Sequence, residues 1–298
     1  MRRRYATADV FTSKPLGGNP VAVVLDAAGL TTAQMQALAA EFNYVETTFV
    51  LPPASPKHTA HVRIFTPDRE VPFAGHPNIG TAFLLARERA EADGSRPEQF
   101  VFEEAAGLVE VDLLYQDGVV VGADLCAPQS LTRRAEVEAV QAAACLSLTA
   151  DDVLITRHKP QIVSVGLPFL AVELASREAL RRARPNRQAY DDLFPLDDAR
   201  AVYAYTRTPG DVAADGFDLN ARMFTWRLVE DPATGSATAA VAGLVSVLDG
   251  KEGRFRVLQG EDMGRPSTLL ARTVFDGEAI KARIGGQCAS MFSGTFEI

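Results

Sequence analysis

Two carboxylates, a proline and a glycine precede an alanine-rich run in the stretch E-D-P-A-T-G-S-A-T-A-A, residues 230–240. The start of a helix exposes unpaired backbone N–H groups and a partial positive charge. A turn of this kind can therefore bind an anionic group of a ligand, or it can simply hold the residues that cap the helix. The sequence predicts a helix start here and leaves both uses open, with Asp231, Thr234 and Ser236 as the residues concerned.

A weak internal repeat places a similar stretch in the first half of the chain. The segment that begins at Arg63 reads R-I-F-T-P-D-R-E-V-P-F-A-G-H-P, and the segment that begins at Arg222 reads R-M-F-T-W-R-L-V-E-D-P-A-T-G-S. In each, R-x-F-T is followed by an acidic residue and then by a proline-containing glycine turn that opens an apolar helix. The interval from arginine to glycine is 12 residues in the first (63 to 75) and 13 in the second (222 to 235). We therefore predict two similar halves offset by about 160 residues.

Two similar halves packed side by side would leave a cleft towards which both glycine turns point. Backbone N–H groups and short side chains of the turns would then hold opposite ends of a small anionic ligand. The turn residues are Gly75 and His76 in the first half and Thr234, Gly235 and Ser236 in the second. Asp231 would face the same space as His76. The ligand that this arrangement favours is small and anionic.

Periodicity and turn residues predict the elements that would carry these turns. Thr31 to Gln34 has the spacing of a capping box, and apolar residues then recur at helical spacing up to Asn43. The run Y-V-E-T-T-F-V-L, from Tyr44, is dense in β-branched and aromatic residues and predicts a strand. Further helices are predicted at about 79–92, 132–145, 176–183 and 236–248, and further strands at 21–24, 62–65, 108–114, 169–174, 202–205 and 220–224. Many strands without a regular βαβ alternation indicate an α+β fold.

The composition indicates a globular protein and argues against several classes of partner. The chain has 298 residues, of which 47% are hydrophobic, and a formal net charge of -8. We expect no nucleic-acid partner, because phosphate binding needs a surplus of Lys and Arg. The longest apolar run, 237–248, is too short to span a bilayer, and the basic N-terminus lacks the apolar stretch of a signal peptide. We therefore expect a cytoplasmic protein without a membrane partner.

Metal and disulfide sites are not predicted. The three cysteines are widely spaced and odd in number, which fits neither a disulfide framework nor a zinc site. His58 and His61 have the spacing of two metal ligands. They lie in a proline-rich stretch, however, and no Cys, Asp or Glu stands at ligand spacing beside them.

Five motifs, in order along nearly the whole chain, resemble those of the PhzF-like family, which is named for a phenazine-biosynthesis isomerase and is related in fold to diaminopimelate epimerase. The motifs are D-V-F-T-S-K-P-L-G-G-N-P (9–20), V-E-T-T-F-V (45–50), F-T-P-D-R-E-V-P-F-A-G-H-P (65–77), E-D-P-A-T-G-S-A (230–237) and Q-G-E-D-M-G-R-P-S (259–267). The resemblance implies two pseudo-symmetric domains, each a mixed barrel of strands around a central helix, with the active site between them. It also implies a homodimer that uses no cofactor. We expect halves at 1–117 and 118–298, with the last strand, about 288–298, as a segment that could return to the first half.

The resemblance also implies roles for individual residues. Glu46 would be the acid/base that transfers a proton, and His76, Asp231 and Ser236 would bind and orient the substrate. A Glu in a β-branched strand against a closed apolar cleft would lose hydration, which favours its neutral form and suits proton transfer in both directions. For Glu46, the simpler alternative is an exposed strand residue, because both faces of the strand are apolar or β-branched and the pattern does not show which one is buried. For His76, it is a neutral turn histidine that is hydrogen-bonded to the backbone.

The chain departs from the related epimerases, which exchange a proton between two cysteine thiols, because neither glycine turn contains a cysteine. By the resemblance, His76 and Asp231 lie where the two thiols would be. We therefore predict an isomerase in which a single glutamate moves a proton from one carbon to another. Epimerisation of an amino acid is one alternative. A non-catalytic metabolite-binding protein of the same fold is another, and replacing Glu46 by Gln distinguishes a binder from an enzyme.

Overall fold

The computed structural model describes residues 1–207 and 216–298 of the chain. The chain forms two compact units, of which the first comprises Met1–Cys126 with Gly285–Ile298 and the second comprises Ala127–Ile284. Among the described residues, no helix has the length and apolar character needed to cross a membrane.

The first unit is a closed barrel of eight strands around one helix. The eight barrel strands are β1 (Arg2–Val10), β2 (Asn19–Val24), β3 (Glu46–Leu51), β4 (Ala60–Phe65), β6 (Gln99–Glu104), β7 (Gly107–Gln116), β8 (Val119–Cys126) and the last part of β17 (Ala279–Glu297). A further, two-residue strand, β5 (Glu70–Val71), pairs with β4. The α-helices of this unit are α1 (Thr32–Phe42) and α2 (Gly75–Asp93). Hydrogen bonds join the barrel strands in the order β1, β2, β3, β4, β6, β7, β8, β17 and back to β1. The β2–β3 and β4–β6 pairs are parallel, so the barrel is mixed.

Helix α2 occupies the centre of this barrel. It contacts β1, β2, β3, β7 and β8, and its residues 76–84 are all buried. This part of α2 has no solvated face, so it carries no helical stripe of polar residues, whereas residues 89–93 of the helix are exposed. Gly80 allows its close approach to the strands, because a Cβ there would lie 2.4 Å from Val21 Cγ1 and 2.9 Å from Val10 Cγ2.

The second unit repeats this pairing scheme. Its strands are β9 (Thr132–Glu136), β10 (Gln161–Ser164), β11 (Pro168–Glu173), β12 (Val202–Arg207), β13 (Leu219–Phe224), the two-residue β14 (Glu230–Asp231), β15 (Arg254–Gln259), β16 (Ser267–Asp276) and the first part of β17. Its α-helices are α3 (Ala139–Cys145), α4 (Arg177–Arg182), α5 (Arg187–Leu193) and α6 (Gly235–Asp249). The β11–β12 and β13–β15 pairs are parallel, as are their counterparts β2–β3 and β4–β6. Helix α6 contacts β10, β11 and β16 and is buried along most of its length.

The predicted α+β fold, with two like halves that each enclose a central helix, is therefore confirmed. The repeated R-x-F-T motif has the same structural role in both units. Arg63 donates to both carboxylate oxygens of Glu70 at 2.7 Å, and Arg222 donates to both oxygens of Glu230 at 2.8 and 2.7 Å. Such a two-bond fork fixes the short strand that leads into the central helix.

Most of the other predicted elements are also confirmed. Helix α1 has the capping box between Thr31 and Gln34, and it ends at Asn43 in the left-handed conformation. The strand predicted from Y-V-E-T-T-F-V-L is β3. Ser176 caps α4, within the range predicted for a helix.

Two predicted helices differ from the structure. The helix over 132–145 is wrong in its first half, because Thr132–Glu136 pairs with β10 as a strand and only Ala139–Cys145 is helical. Helix α2 begins at Gly75, earlier than predicted, since a proline such as Pro77 is tolerated in the first turn of a helix.

Gly80→Ala should destabilise the first unit, because the added methyl group would meet Val21, whose β-branched side chain has few alternative rotamers. We expect the free energy of unfolding in urea to fall by about 1–3 kcal/mol. Gly243→Ala in α6 is the matched control, since its methyl group would lie 3.5 Å from the nearest atoms, those of Leu131. Alanine is favoured over glycine in a helix, so the control should be at least as stable as the parent. Equal stability of the two variants would contradict the close packing of α2.

Candidate active site

Two predicted site residues of the first unit, Glu46 and His76, lie against each other. Glu46 is the first residue of β3 and pairs with Val21 of β2, and His76 is the second residue of α2. The distance from Glu46 Oε2 to His76 Nδ1 is 3.3 Å. The exposed fractions of the two side chains are 15% and 8%, so the alternative of an exposed strand glutamate is wrong.

The imidazole of His76 is neutral at pH 7. Burial lowers the pKa of His76 to about 4, and the opposing effect of the Pro20 backbone is smaller. When Nδ1 carries the proton towards Glu46, Nε2 becomes a hydrogen-bond acceptor. Nε2 is buried, and the residues that the structure describes offer it no hydrogen-bond partner. His76 thus places Nδ1 beside the Glu46 carboxyl group and leaves Nε2 able to accept a hydrogen bond from a ligand.

Further buried polar atoms without a hydrogen-bond partner in the described part of the chain surround the start of α2. They are Thr47 Oγ1, both amide atoms of Asn78 and both carboxyl oxygens of Glu104. Thr47 follows Glu46 on β3, Asn78 lies in the first turn of α2, and Glu104 ends β6 and interacts with Asn78. Buried polar groups in folded proteins are nearly always hydrogen-bonded. Thr47 Oγ1 therefore joins His76 Nε2 as a group left for a polar ligand, whereas Asn78 and Glu104 interact with each other.

The first turn of α2 is not capped by a side chain. Its N-cap residue, Ala74, has an extended backbone and makes no side-chain hydrogen bond to the helix. The backbone amides at such a helix start attract negative charge. A Cβ at Gly75 would meet no atom within 4 Å. The turn can therefore be approached closely by an anionic group.

In the second unit, a hydrogen-bond network connects the predicted residues at the start of α6. Thr234 Oγ1 donates to Asp231 Oδ2, and Gln259 Nε2 donates to Thr234 Oγ1 at 3.0 Å and to the Asp231 carbonyl oxygen at 2.8 Å. Gln259 Oε1 accepts from the Thr234 N–H at 3.2 Å. Thr234 is the N-cap residue but makes no side-chain bond to the helix, so its interpretation as a plain cap is wrong. Gly235 and Ser236 are the first two residues of α6.

The strand registers show which positions of the two units are equivalent. Phe65 and Phe224 of the two R-x-F-T motifs lie opposite Thr47 and Val202. The residues that precede Thr47 and Val202 in the chain, Glu46 and Ala201, are therefore equivalent. The short strands β5 and β14 likewise make Val71 equivalent to Asp231, and the helix starts that follow make Gly75 equivalent to Gly235 and His76 equivalent to Ser236. The carboxyl group of Glu46 therefore has no counterpart in the second unit.

The predicted site residues thus form two groups, one in each unit. The groups are Glu46, Gly75 and His76 in the first unit and Asp231, Thr234, Gly235 and Ser236 in the second. That all seven serve one ligand stays a prediction. The sequence analysis assigned no role to Asn78, Glu104 or Gln259. Gln259 could have been found from the sequence, because it is the first residue of the family motif at 259–267. Glu104 could then have been found as its equivalent position in the internal repeat.

His58 makes a structural contact of its own. Its Nδ1 lies 2.7 Å from Glu103 Oε1, and Glu103 also accepts from the backbone N–H groups of Ala54 and Ser55. The hydrogen bond from Ala54 is the largest of the effects that lower the pKa of Glu103 to about 2. These contacts hold the loop before β4.

The pKa of His76 can be measured by NMR titration of its ring protons. The chain has four histidines, so a His76→Gln spectrum identifies the signal that is lost. We expect a midpoint near 4, because burial disfavours the charged imidazolium. His61, which is only half-buried, is the internal comparison. A His76 midpoint at or above 6.5 would contradict the neutral, buried ring.

Comparison with known proteins places the chain in a family. The family model described as phenazine biosynthesis-like protein matches residues 8–294. The chain is 40% identical to an uncharacterized isomerase from Mesorhizobium japonicum over 98% of both chains, and 36% identical to trans-2,3-dihydro-3-hydroxyanthranilate isomerase from Pseudomonas aeruginosa, also over 98% of both. A Bacillus anthracis phenazine biosynthesis protein of the PhzF family has the same fold, with a TM-score of 0.86 at 22% identity over the whole of both chains. The chain therefore belongs to the phenazine biosynthesis-like, or PhzF-like, family and is an isomerase of that family.

Proposed function

We propose that this chain is a cofactor-independent isomerase that moves a proton between two carbons of a small carboxylate substrate, with Glu46 as the acid/base. The observation that carries the proposal is the contact of a largely buried Glu46 with a neutral His76 at an uncapped helix start. The Pseudomonas relative is named for an isomerase whose substrate is an anthranilate derivative, which is a carboxylate. The absence of a cofactor rests on the family resemblance.

The proposed reaction needs one group that both accepts and returns a proton. The ionised Glu46 carboxylate takes a proton from a substrate C–H bond, and the electron pair of that bond moves into the adjacent double-bond system. The protonated carboxyl group then returns the proton to a different carbon as the double bond shifts. No atom is gained or lost. His76, whose Nδ1 lies 3.3 Å from Glu46 Oε2, packs beside the carboxyl group and limits its orientation in both steps.

The inequivalence of the two units supports one base rather than two. An epimerase that inverts a carbon needs a proton acceptor on one face and a donor on the other. The equivalent of Glu46 is Ala201, and the equivalent of His76 is Ser236. The second unit therefore repeats the helix start without repeating the base.

In this proposal, the second unit contributes substrate binding. Asp231 is held by Thr234 and Gln259, so its side chain has a fixed orientation beside the start of α6. Gly235 and Ser236 supply the first backbone amides of that helix, which suit a carboxylate. That the protein is cytoplasmic stays a prediction from the sequence, and that it is a homodimer stays a prediction from the resemblance.

Glu46→Gln should lower turnover at least about a hundredfold, because an amide of the same size cannot accept and return a proton. Turnover is measured with trans-2,3-dihydro-3-hydroxyanthranilate and with a panel of small unsaturated carboxylates. Binding, measured by calorimetry, should change little. Glu41→Gln, on an exposed residue of α1, is the control and should retain the parent rate. Parent-like turnover of the Glu46 variant would refute the mechanism, and binding without turnover by the parent would favour a metabolite-binding protein.

Isotope transfer distinguishes one base from two. With substrate that carries deuterium at the donor carbon, a single carboxyl group in a water-poor site should deliver part of that deuterium to the acceptor carbon of the product. In deuterium oxide, unlabelled substrate should correspondingly give product with less than one full solvent deuterium at that carbon. Mass spectrometry of single-turnover products measures both. Incorporation of solvent deuterium at the donor carbon with inversion of that carbon, and none at a second carbon, would favour the epimerase alternative.

A further inference from the structure

Glu104 occupies a position that the internal repeat makes comparable between the units. Strand β6 pairs with β4 as β15 pairs with β13, with His61 opposite Glu103 and Asn220 opposite Leu258. The next residue along each strand is Glu104 in the first unit and Gln259 in the second. Both end their strands beside the turn that leads into the central helix.

Gln259 shows what this position does in the second unit. Its side-chain amide donates to the Asp231 carbonyl oxygen and the Thr234 hydroxyl and accepts from the Thr234 N–H. Donor and acceptor are both needed, and a neutral amide supplies both. A glutamate at the same position supplies both only when it is protonated.

Glu104 lies in surroundings that favour its protonated form. Burial raises the pKa of Glu104 to about 8, and the interaction with the Asn78 side chain, which acts in the opposite direction, is smaller. Both carboxyl oxygens and both Asn78 amide atoms are buried, without an aligned hydrogen bond to any residue that the structure describes. A protonated carboxyl group can donate to Asn78 Oδ1 and accept from Asn78 Nδ2, which satisfies one donor and one acceptor of each group.

Other charged or titratable groups stand on the elements around Glu104. They are His61 and Arg63 of β4, Glu70 of β5, Glu103 of β6, Glu110 and Asp112 of β7, and His76 of α2. Arg63 forms its two-bond fork with Glu70, and Glu103 is paired with His58. The Arg63 guanidinium is thus held by a carboxylate other than Glu104. Glu104 also lines a groove of about 390 Å³ in the first unit, together with Arg63 and Glu70.

We propose that Glu104 is a positioning residue, whose protonated carboxyl group forms a reciprocal acid–amide pair with Asn78 and holds the first turn of α2, with His76, against the end of β6. An ionised Glu104 would present two acceptors to an amide that has one acceptor of its own, so the pair loses a hydrogen bond. The turn is then held less firmly. The importance of this turn for catalysis rests on the proposed function, whereas its effect on stability does not.

The pair gives stability a defined pH dependence. A carboxyl group whose pKa is higher in the folded chain than in the unfolded chain binds more protons when folded, so its contribution to stability falls as pH rises. The decline runs from the ordinary glutamate pKa of 4.5 to about 8. Glu104→Gln keeps the donor and the acceptor and cannot ionise. Its stability relative to the parent should therefore increase over this range and level off above it.

The first measurement is the urea midpoint of the parent, Glu104→Gln and Glu104→Leu between pH 5 and 9. We expect the advantage of Glu104→Gln over the parent to grow from pH 5 to 8, while Glu104→Leu, which leaves Asn78 without its partner, should be less stable than Glu104→Gln at every pH. Glu110→Gln, on an exposed residue of β7, should show a constant difference from the parent. If Glu104→Gln also showed a constant difference, Glu104 would be ionised in the folded protein and the proposal would fail.

The second measurement is the pH profile of turnover. The parent should lose activity above pH 8, and Glu104→Gln should retain it to higher pH, whereas Glu104→Leu should lose activity at every pH. An alkaline decline that is identical in the parent and Glu104→Gln would overturn the positioning role even if both stabilities behave as expected. If no variant, including the parent, turns over any substrate, the proposed function fails, and the stability series still decides whether the pair exists.

Discussion

Each unit buries the first turns of a central helix among its strands, and the burial of these helix starts is the constraint on which both units depend. The first backbone amides of such a helix need an acceptor from a side chain, a neighbouring strand or a ligand. In the second unit, Gln259 accepts from the Thr234 N–H, but the Thr234 side chain does not cap α6. In the first unit, the N-cap residue is an alanine and buried polar atoms around the turn have no aligned partner in the described part of the chain. The candidate active site arises where the fold leaves this requirement to other groups.

The two arginine–glutamate forks set the path by which the chain enters these helices. Arg222 is only 5% exposed, and besides Glu230 it donates to the carbonyl oxygens of Leu180 and Ala183 at the end of α4. Removing one partner of a buried pair of this kind costs about 3–5 kcal/mol, because the other charge is left buried. Each fork therefore fixes one hairpin, β4–β5 or β13–β14, and this hairpin fixes the position of the glycine turn that follows it.

The two units share a fold but carry different side chains at equivalent positions of the candidate site. The same register places Glu46 in one unit and Ala201 in the other, and Glu104 in one unit and Gln259 in the other. Gln259 keeps its hydrogen bonds at every pH, whereas the pair proposed between Glu104 and Asn78 needs a protonated carboxyl group. At these two positions a carboxyl group stands in the first unit where a neutral side chain stands in the second. At Val71 and Asp231 the carboxyl group is in the second unit.

The sequence by itself determined the repeat, the central helices and the glycine turns, because R-x-F-T, the Pro–Gly spacing and the capping box at Thr31 are local patterns with local physical causes. It could not determine whether 132–136 is a strand, since those residues become one only through pairing with β10, which is distant in the sequence. Nor could it tell which face of β3 carries Glu46, because both faces are apolar or β-branched. Burial of Glu46 against His76, and of Glu104 against Asn78, was decided by the tertiary structure. These contacts join β3 and β6 to the start of α2, and only packing of the closed barrel brings those elements together.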